Sequence, residues 1–211
     1  FMPMWAEDGD HVIFDRGGRQ VVELNLHSGE ARILYEAGQS PVPEGVMLQS
    51  PDWRRAEARL AVTFRGRLRD TRVLGPGDRS VRIGSGRGCQ LNWAPDGSFL
   101  YYVDHGGRGG NTIMRAPSDG STAYPWLDLP EPWSHEYFPR LSRNGSWLIL
   151  GASAEGHEHD RADYELFLWP VGEPPESAVR LTFHTGNDCW PDIWIESEAA
   201  WAPPQSVSRS R

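Results

Sequence analysis

The chain has 211 residues and a mass of 23.7 kDa, which suits one large domain or two small ones and is enough to bury a substantial core. Gly and Pro together number 40 (23 plus 17), too many for a helical bundle and too few for a collagen-like or disordered chain. The net charge of −8 argues against nucleic acid or an anionic membrane as a partner, and all 21 basic residues are Arg, which excludes Schiff-base chemistry and a phosphate-loop lysine.

No window approaches 18 uninterrupted apolar residues, so no transmembrane helix is predicted. The stretch Phe1-Met2-Pro3-Met4-Trp5-Ala6-Glu7-Asp8 lacks the basic and apolar segments of a signal peptide, and a secreted protein after cleavage would read the same. Two cysteines, Cys89 and Cys189, are too few for a disulfide scaffold or a four-cysteine zinc site.

Internal repeats organise the chain. Trp5-Ala6-Glu7-Asp8-Gly9 precedes the apolar run His11 to Phe14. Trp53-Arg54-Arg55-Ala56-Glu57, with Glu57 in place of the glycine, precedes Leu60 to Phe64. Trp93-Ala94-Pro95-Asp96-Gly97 precedes Phe99 to Val103, and Leu141-Ser142-Arg143-Asn144-Gly145 precedes Trp147 to Leu150. A fifth start is Trp190-Pro191-Asp192-Ile193, which matches Phe138-Pro139-Arg140-Leu141. The shared apolar position falls at 5, 53, 93, 141 and 193, in steps of 48, 40, 48 and 52.

Each copy places a short apolar strand before a turn and a β-branched or aromatic strand after it. A third strand follows (Val21 to Leu26, Thr71 to Leu74, Thr112 to Ala116, Glu165 to Trp169), then a second turn such as His27-Ser28-Gly29-Glu30. A fourth closes the unit (Ala31 to Tyr35, Val81 to Ile83, Ala123 to Leu127, Val179 to Thr182). Four strands per unit of this length is the spacing of a β-propeller blade, so the predicted fold is all-β. Blades are expected over 3–38, 48–86, 89–134 and 137–186, with an extra strand over 189–195 and a polar tail over 196–211. A count of four and a fraction leaves two arrangements: an arc of a larger propeller, or a small ring closed by the last strand against blade 1.

Leu91-Asn92-Trp93-Ala94-Pro95-Asp96-Gly97 and Tyr137-Phe138-Pro139-Arg140-Leu141-Ser142-Arg143-Asn144-Gly145 resemble the WD40-like repeat of TolB-type propellers, as does Val179-Arg180-Leu181-Thr182-Phe183-His184 with Trp190-Pro191-Asp192. The resemblance spans about residues 3–195. It implies a propeller in a periplasmic or secreted setting. It implies function only loosely, because such propellers serve as envelope scaffolds, parts of tricorn-like proteases and gating domains of prolyl peptidases.

Strand order sorts the loops. Blade-to-blade connections and second-to-third strand loops share one face. That face is expected to hold His105, His135, His157, His159 and His184, with Glu136, Asp160, Asp163 and Asp188; His11 and His27 fall toward the other. The densest stretch, His157-Glu158-His159-Asp160, with Asp163 and His184, mixes imidazole and carboxylate and would suit a divalent ion such as Zn or Mn; a solvated polar loop explains the same residues. His105, His135, Glu136, Trp133 and Asp188 are candidate binding residues on this face, and His135-Glu136 or His184 would suit proton transfer. Arg65, Arg67, Arg69 and Arg72 form a basic loop that suits a carboxylate or phosphate, or simply a solvated face. No Gly-x-Ser-x-Gly elbow is present. Trp5, Trp53 and Trp93 share one repeat position and are expected in inter-blade cores. Cys89 and Cys189 are equivalent positions in non-adjacent blades, which argues against a disulfide.

Nothing in these residues completes a catalytic constellation. The expected function is a non-catalytic scaffold binding a protein or small molecule at the histidine face, with no nucleic acid, no membrane span and a homo-oligomer as one arrangement. The alternatives are a metal-binding propeller or metal-dependent enzyme built on the His157 loop, and a regulatory propeller of a longer peptidase.

Overall fold

The computed structural model describes residues 3–6, 8–108, 110–156, 161–183 and 185–195. It is built from antiparallel strands in groups of four. Blade 1 is β1 (Met4–Trp5), β2 (His11–Arg16), β3 (Gln20–Asn25) and β4 (Ala31–Glu36); blade 2 is β5 (Val46–Arg54), β6 (Arg59–Gly66), β7 (Asp70–Gly75) and β8 (Arg79–Arg82). Blade 3 is β9 (Cys89–Trp93), β10 (Leu100–His105), β11 (Asn111–Ala116) and β12 (Tyr124–Leu127); blade 4 is β13 (His135–Leu141), β14 (Trp147–Ser153), β15 (Tyr164–Pro170) and β16 (Val179–Arg180). The fold is that of a β-propeller, as the repeat spacing predicts. The repeats did not announce one feature: Asn111 pairs in parallel with His135, joining blades 3 and 4 into a single sheet.

Burial follows the alternation of each strand. Ile13 and Val21 of blade 1 meet Trp53, Leu60, Val62 and Phe64 of blade 2 in one core. Ala61 and Val73 of blade 2 meet Trp93, Leu100 and Tyr102 of blade 3 in a second, and Tyr101, Val103 and Ile113 of blade 3 meet Leu148, Leu150 and Phe167 of blade 4 in a third. Odd and even positions of a strand thus serve opposite neighbours. No hydrophobic cluster of the described residues joins blade 4 to blade 1. In consequence Trp5, Val12, Phe14, Val22, Leu24 and Ile33, which share one face of blade 1 by strand register, lie outside every core cluster. Trp53 and Trp93 are 6% and 5% exposed, as expected of the shared position, but Trp5 is 64% exposed because no core cluster of the described residues covers that face.

A second regularity lies in the inner strands. Ser50, Gln90 and Phe138, each three residues before the shared position, have φ of 49°, 54° and 57°. The left-handed residue makes a bulge, seen as a register shift in each inner pair. Trp190 occupies the equivalent place and has φ of 61°. Trp190 thus shares the left-handed φ of the inner-strand bulges, although the described residues of 189–195 carry no strand pairing, contrary to the expected extra strand.

Smaller corrections follow. The fourth strand of blade 4 is only Val179–Arg180. The turn of blade 2 spans the same number of residues as its counterparts but is shifted by one: Arg54 still pairs with Arg59, and Ala58, not Glu57, takes the role of the glycine, with φ of 49° and its N–H on the Arg55 carbonyl. No disulfide joins Cys89 and Cys189, yet both pack on the core between blades 3 and 4, so their separation by repeat number does not separate them in space.

Candidate functional site

The inner strands β1, β5, β9 and β13 run in one direction and converge, at their C-terminal ends, on a cavity of about 890 Å³. Its lining includes the residue before the shared position in four of the five repeats, Met4, Asp52, Arg140 and Asp192, and in the third the shared residue itself, Trp93. The bulges explain this reach, since an extra residue re-aims the side chains that follow it. The N–H groups near the bulges are taken by side chains of the preceding blade. Asp52 Oδ2 accepts the Trp93 N–H at 2.7 Å, Gln90 Oε1 accepts the Phe138 N–H at 2.8 Å, and the Tyr101 hydroxyl accepts the Leu141 N–H at 3.2 Å. Arg140 Nη1 donates to Asn92 Oδ1 at 2.8 Å. Blades 2, 3 and 4 are thus stitched together at the cavity wall.

Aromatic rings dominate that wall. Trp190 packs on Phe138 with ring centroids 4.3 Å apart and stays 48% exposed; Trp194 is 76% exposed. The Arg59 guanidinium lies 4.7 Å from the Trp93 ring, and the Nε1 atoms of Trp53 and Trp93 have no hydrogen-bond partner among the described residues. Burial holds the Tyr101 hydroxyl up at about 12, against the pull of Arg140. Asp8, at the rim, is held at about 2: burial alone would raise it, but the Asp10 N–H, Arg55 and His11 outweigh that. Arg54 is tied to Glu57 at 2.9 Å, whereas no ion pair is formed by Arg140 or Arg143 among the described residues. The cavity opens among the first-to-second strand turns, the face opposite the histidines.

The histidine face is a different environment. His105 ends β10 and His135 begins β13, and both pair with Asn111, so the two lie at one end of neighbouring strands. His105 is exposed, with Nδ1 3.3 Å from the Gly110 carbonyl. Glu136 beside it is fully buried rather than presented to solvent: Oε1 accepts the Leu129 N–H at 2.5 Å, and burial pushes its carboxyl up to about 8, with Asp128 adding to the shift. Trp133 is half-buried against Phe167 (5.2 Å) and the Arg180 guanidinium (4.6 Å), a packing role in place of an exposed anchor. Asp163 Oδ1 accepts the Gly186 N–H at 3.1 Å, and the Asp188 N–H donates to the Tyr164 carbonyl at 2.9 Å, so these two residues fasten the segment after β16 to the start of β15. His157, Glu158, His159, Asp160 and His184 lie outside the described residues. Among the described residues no three metal-ligating side chains come together. Cys89 is raised to about 11 by burial, and so is a poor nucleophile.

The loop of Arg65, Arg67 and Arg69 joins β6 to β7 on the histidine face, and Arg65 donates to the Phe64 and Gly88 carbonyls at 3.1 Å each. Arg72 instead pairs with buried Asp70 at 2.9 Å. Sequence reasoning missed the cavity because its wall is made by residues whose side-chain direction depends on the bulges. The repeated Pro-Asp and Pro-Arg before the shared position was the available signal.

No family model matches the chain, and no curated protein matches it. Solved structures do. TolB from Acinetobacter baumannii superposes with a TM-score of 0.67 at 14% identity, over 90% of this chain and 45% of that one. A putative TolB from Agrobacterium tumefaciens gives 0.57 at 15% identity, over 84% and 78%. A chain of a nidogen/laminin complex gives 0.62 at 13% identity, over 88% and 65%. The chain thus spans under half the length of the first of these. At such identities the likeness is one of fold, and the fold is that of a TolB-type β-propeller.

Proposed function

We propose that this chain is a non-catalytic binding scaffold whose recognition site is the cavity between the inner strands. The supporting observation is the wall itself: exposed Trp190 and Trp194 beside the guanidinium groups of Arg140 and Arg143, in a concavity large enough for a small ligand or a peptide segment. A rigid ring of turns around a channel mouth is suited to recognition. Among the described residues, buried Glu136 and part-buried Cys89 are packed into the fold and do not pair a nucleophile with a base. The periplasmic or secreted setting, and a protein or small molecule as partner, go with this reading. The test is a ligand screen by thermal shift, repeated on Trp190→Ala and Arg140→Gln. Ligands of the cavity lose at least about tenfold in affinity in these variants, a loss of 1.4 kcal/mol or more. Ligands that bind both variants as tightly as the parent overturn the reading.

A second reading is a divalent metal at the histidine face. It is favoured by the placement of His105 and His135, both paired with Asn111, at one end of neighbouring strands. Elemental analysis of untagged protein, and of His157→Ala/His159→Ala, checks it: stoichiometric metal lost in the double variant supports it, and metal-free protein purified without chelator removes it. A regulatory propeller of a longer peptidase, the third reading, predicts a catalytic domain in the same open reading frame. The homo-oligomer is checked by mass in solution.

A further inference from the structure

From the cavity wall we infer a chemical class of ligand, a hydroxyl-rich molecule carrying one carboxylate, that is, an acidic saccharide. The inference rests on the cavity being the recognition site. Three features of the wall carry it, and none depends on Trp5, whose exposure the open face of blade 1 already explains.

The first is the aromatic surface. Trp190 packs against Phe138 with ring centroids 4.3 Å apart and planes tilted by 49°, and remains 48% exposed; Trp194 lines the same cavity. A ring held by a neighbouring ring is a flat, pre-oriented platform, and the axial C–H face of a sugar ring is a partner of matching shape and polarity.

The second is the balance of charge. The wall contains Asp8, Asp52 and Asp192 as well as Arg54, Arg140 and Arg143. Carboxylates repel a polyanion, which argues against nucleotides and polyphosphates. They accept hydrogen bonds from hydroxyl groups, which a saccharide supplies in number. Asp52 spends one oxygen on the Trp93 N–H, and Asp192 Oδ1 accepts the Ile193 N–H at 2.8 Å, so each oxygen used points the carboxylate in a fixed direction.

The third is a pair of cations that form no ion pair among the described residues. Within those residues Arg140 donates to the Asn92 amide and, at 3.5 Å, to the Pro139 carbonyl, and Arg143 stands exposed in the β13–β14 turn. A guanidinium fixed by neutral acceptors keeps its charge for an incoming anion, and a carboxylate fits its fork in two bonds.

The test compares a glucuronate-containing disaccharide, its neutral counterpart with glucose in place of glucuronate, and an acidic peptide, each titrated against the full chain by calorimetry and tryptophan fluorescence. The acidic sugar binds and quenches; the neutral one binds about tenfold or more weakly, the loss of one charge-assisted contact. Arg140→Gln and Arg143→Gln bring the two sugars to within about twofold of each other, and Trp190→Ala weakens both. Circular dichroism of each variant separates loss of binding from loss of fold. Equal binding of the two sugars overturns the inference, as does binding of the peptide in place of the sugars; in both outcomes the cavity remains a binding site. If none of the three binds, the inference fails, and the thermal-shift screen decides separately whether the scaffold reading fails with it.

Discussion

Single residues decide several local outcomes. Ala58 takes the role that glycine has in the other repeats, at a positive φ that costs an L-residue roughly 1 kcal/mol. Ala58→Gly is expected to raise stability by about 0.5–1 kcal/mol, read as a higher urea midpoint at unchanged slope. Gln90 does the opposite kind of work: its side chain satisfies the N–H that the bulge at Phe138 leaves open. Gln90→Leu leaves that buried donor unpaired and is expected to cost about 1–3 kcal/mol in the same measurement. Glu136 supplies a pH dependence. Its folded carboxyl is held at about 8 by burial, well above an unfolded glutamate, so its contribution is complete at low pH and is lost as pH rises toward 8. Urea midpoints should therefore fall between about pH 4.5 and 8, and Glu136→Gln should flatten that fall. An equal slope in the variant would assign the pH dependence elsewhere.

At the scale of elements, the repeat period and the turn residues were legible in the sequence, and the strands of the four blades came out where they were expected, apart from their ends, whereas the strand expected over 189–195 carries no pairing among its described residues. The alternation of apolar positions was legible too, since it follows from side chains pointing to opposite faces of a strand. Side-chain roles at the blade edges were not. Glu136 and Trp133 stood in a connecting segment that strand order assigned to a solvent-facing loop, but the segment folds inward: Glu136 takes the Leu129 N–H, and Trp133 covers Phe167. A connection of this length gives no periodicity from which an inward turn can be read. The tryptophans make the distinction measurable. Trp53→Ala and Trp93→Ala each empty an inter-blade core and are expected to cost about 3–5 kcal/mol, whereas Trp5→Ala, at the same repeat position, should cost under about 1 kcal/mol.

For the whole molecule, the blades do not share equal protection. Blades 2 and 3 are packed on both faces, and blade 1 on one. Native-state hydrogen exchange should therefore find β2 and β3 opening more readily than β6, β7, β10 and β11, with the joined sheet of blades 3 and 4 among the slowest regions. Equal protection across blades would mean that the outer face of blade 1 is covered in solution. The two arrangements left open by the repeat count are separated only in part: three inter-blade cores are formed by four blades, and in the fifth start Trp190 shares the left-handed φ of the inner-strand bulges without strand pairing among the described residues.

The sequence by itself determined the class of fold, the repeat unit and the residues that alternate between cores, because each of these follows from short-range periods in one chain. It also placed His105 and His135 at the same end of their blades, since strand order alone sets which loops share a face. Only the tertiary structure decided which face carries the cavity and which aromatic rings are buried. Those outcomes depend on bulges that turn Asp52, Arg140 and Asp192 toward a common space, and on whether another blade stands beside a given sheet. Both are relations between distant parts of the chain, and a local pattern contains no record of them.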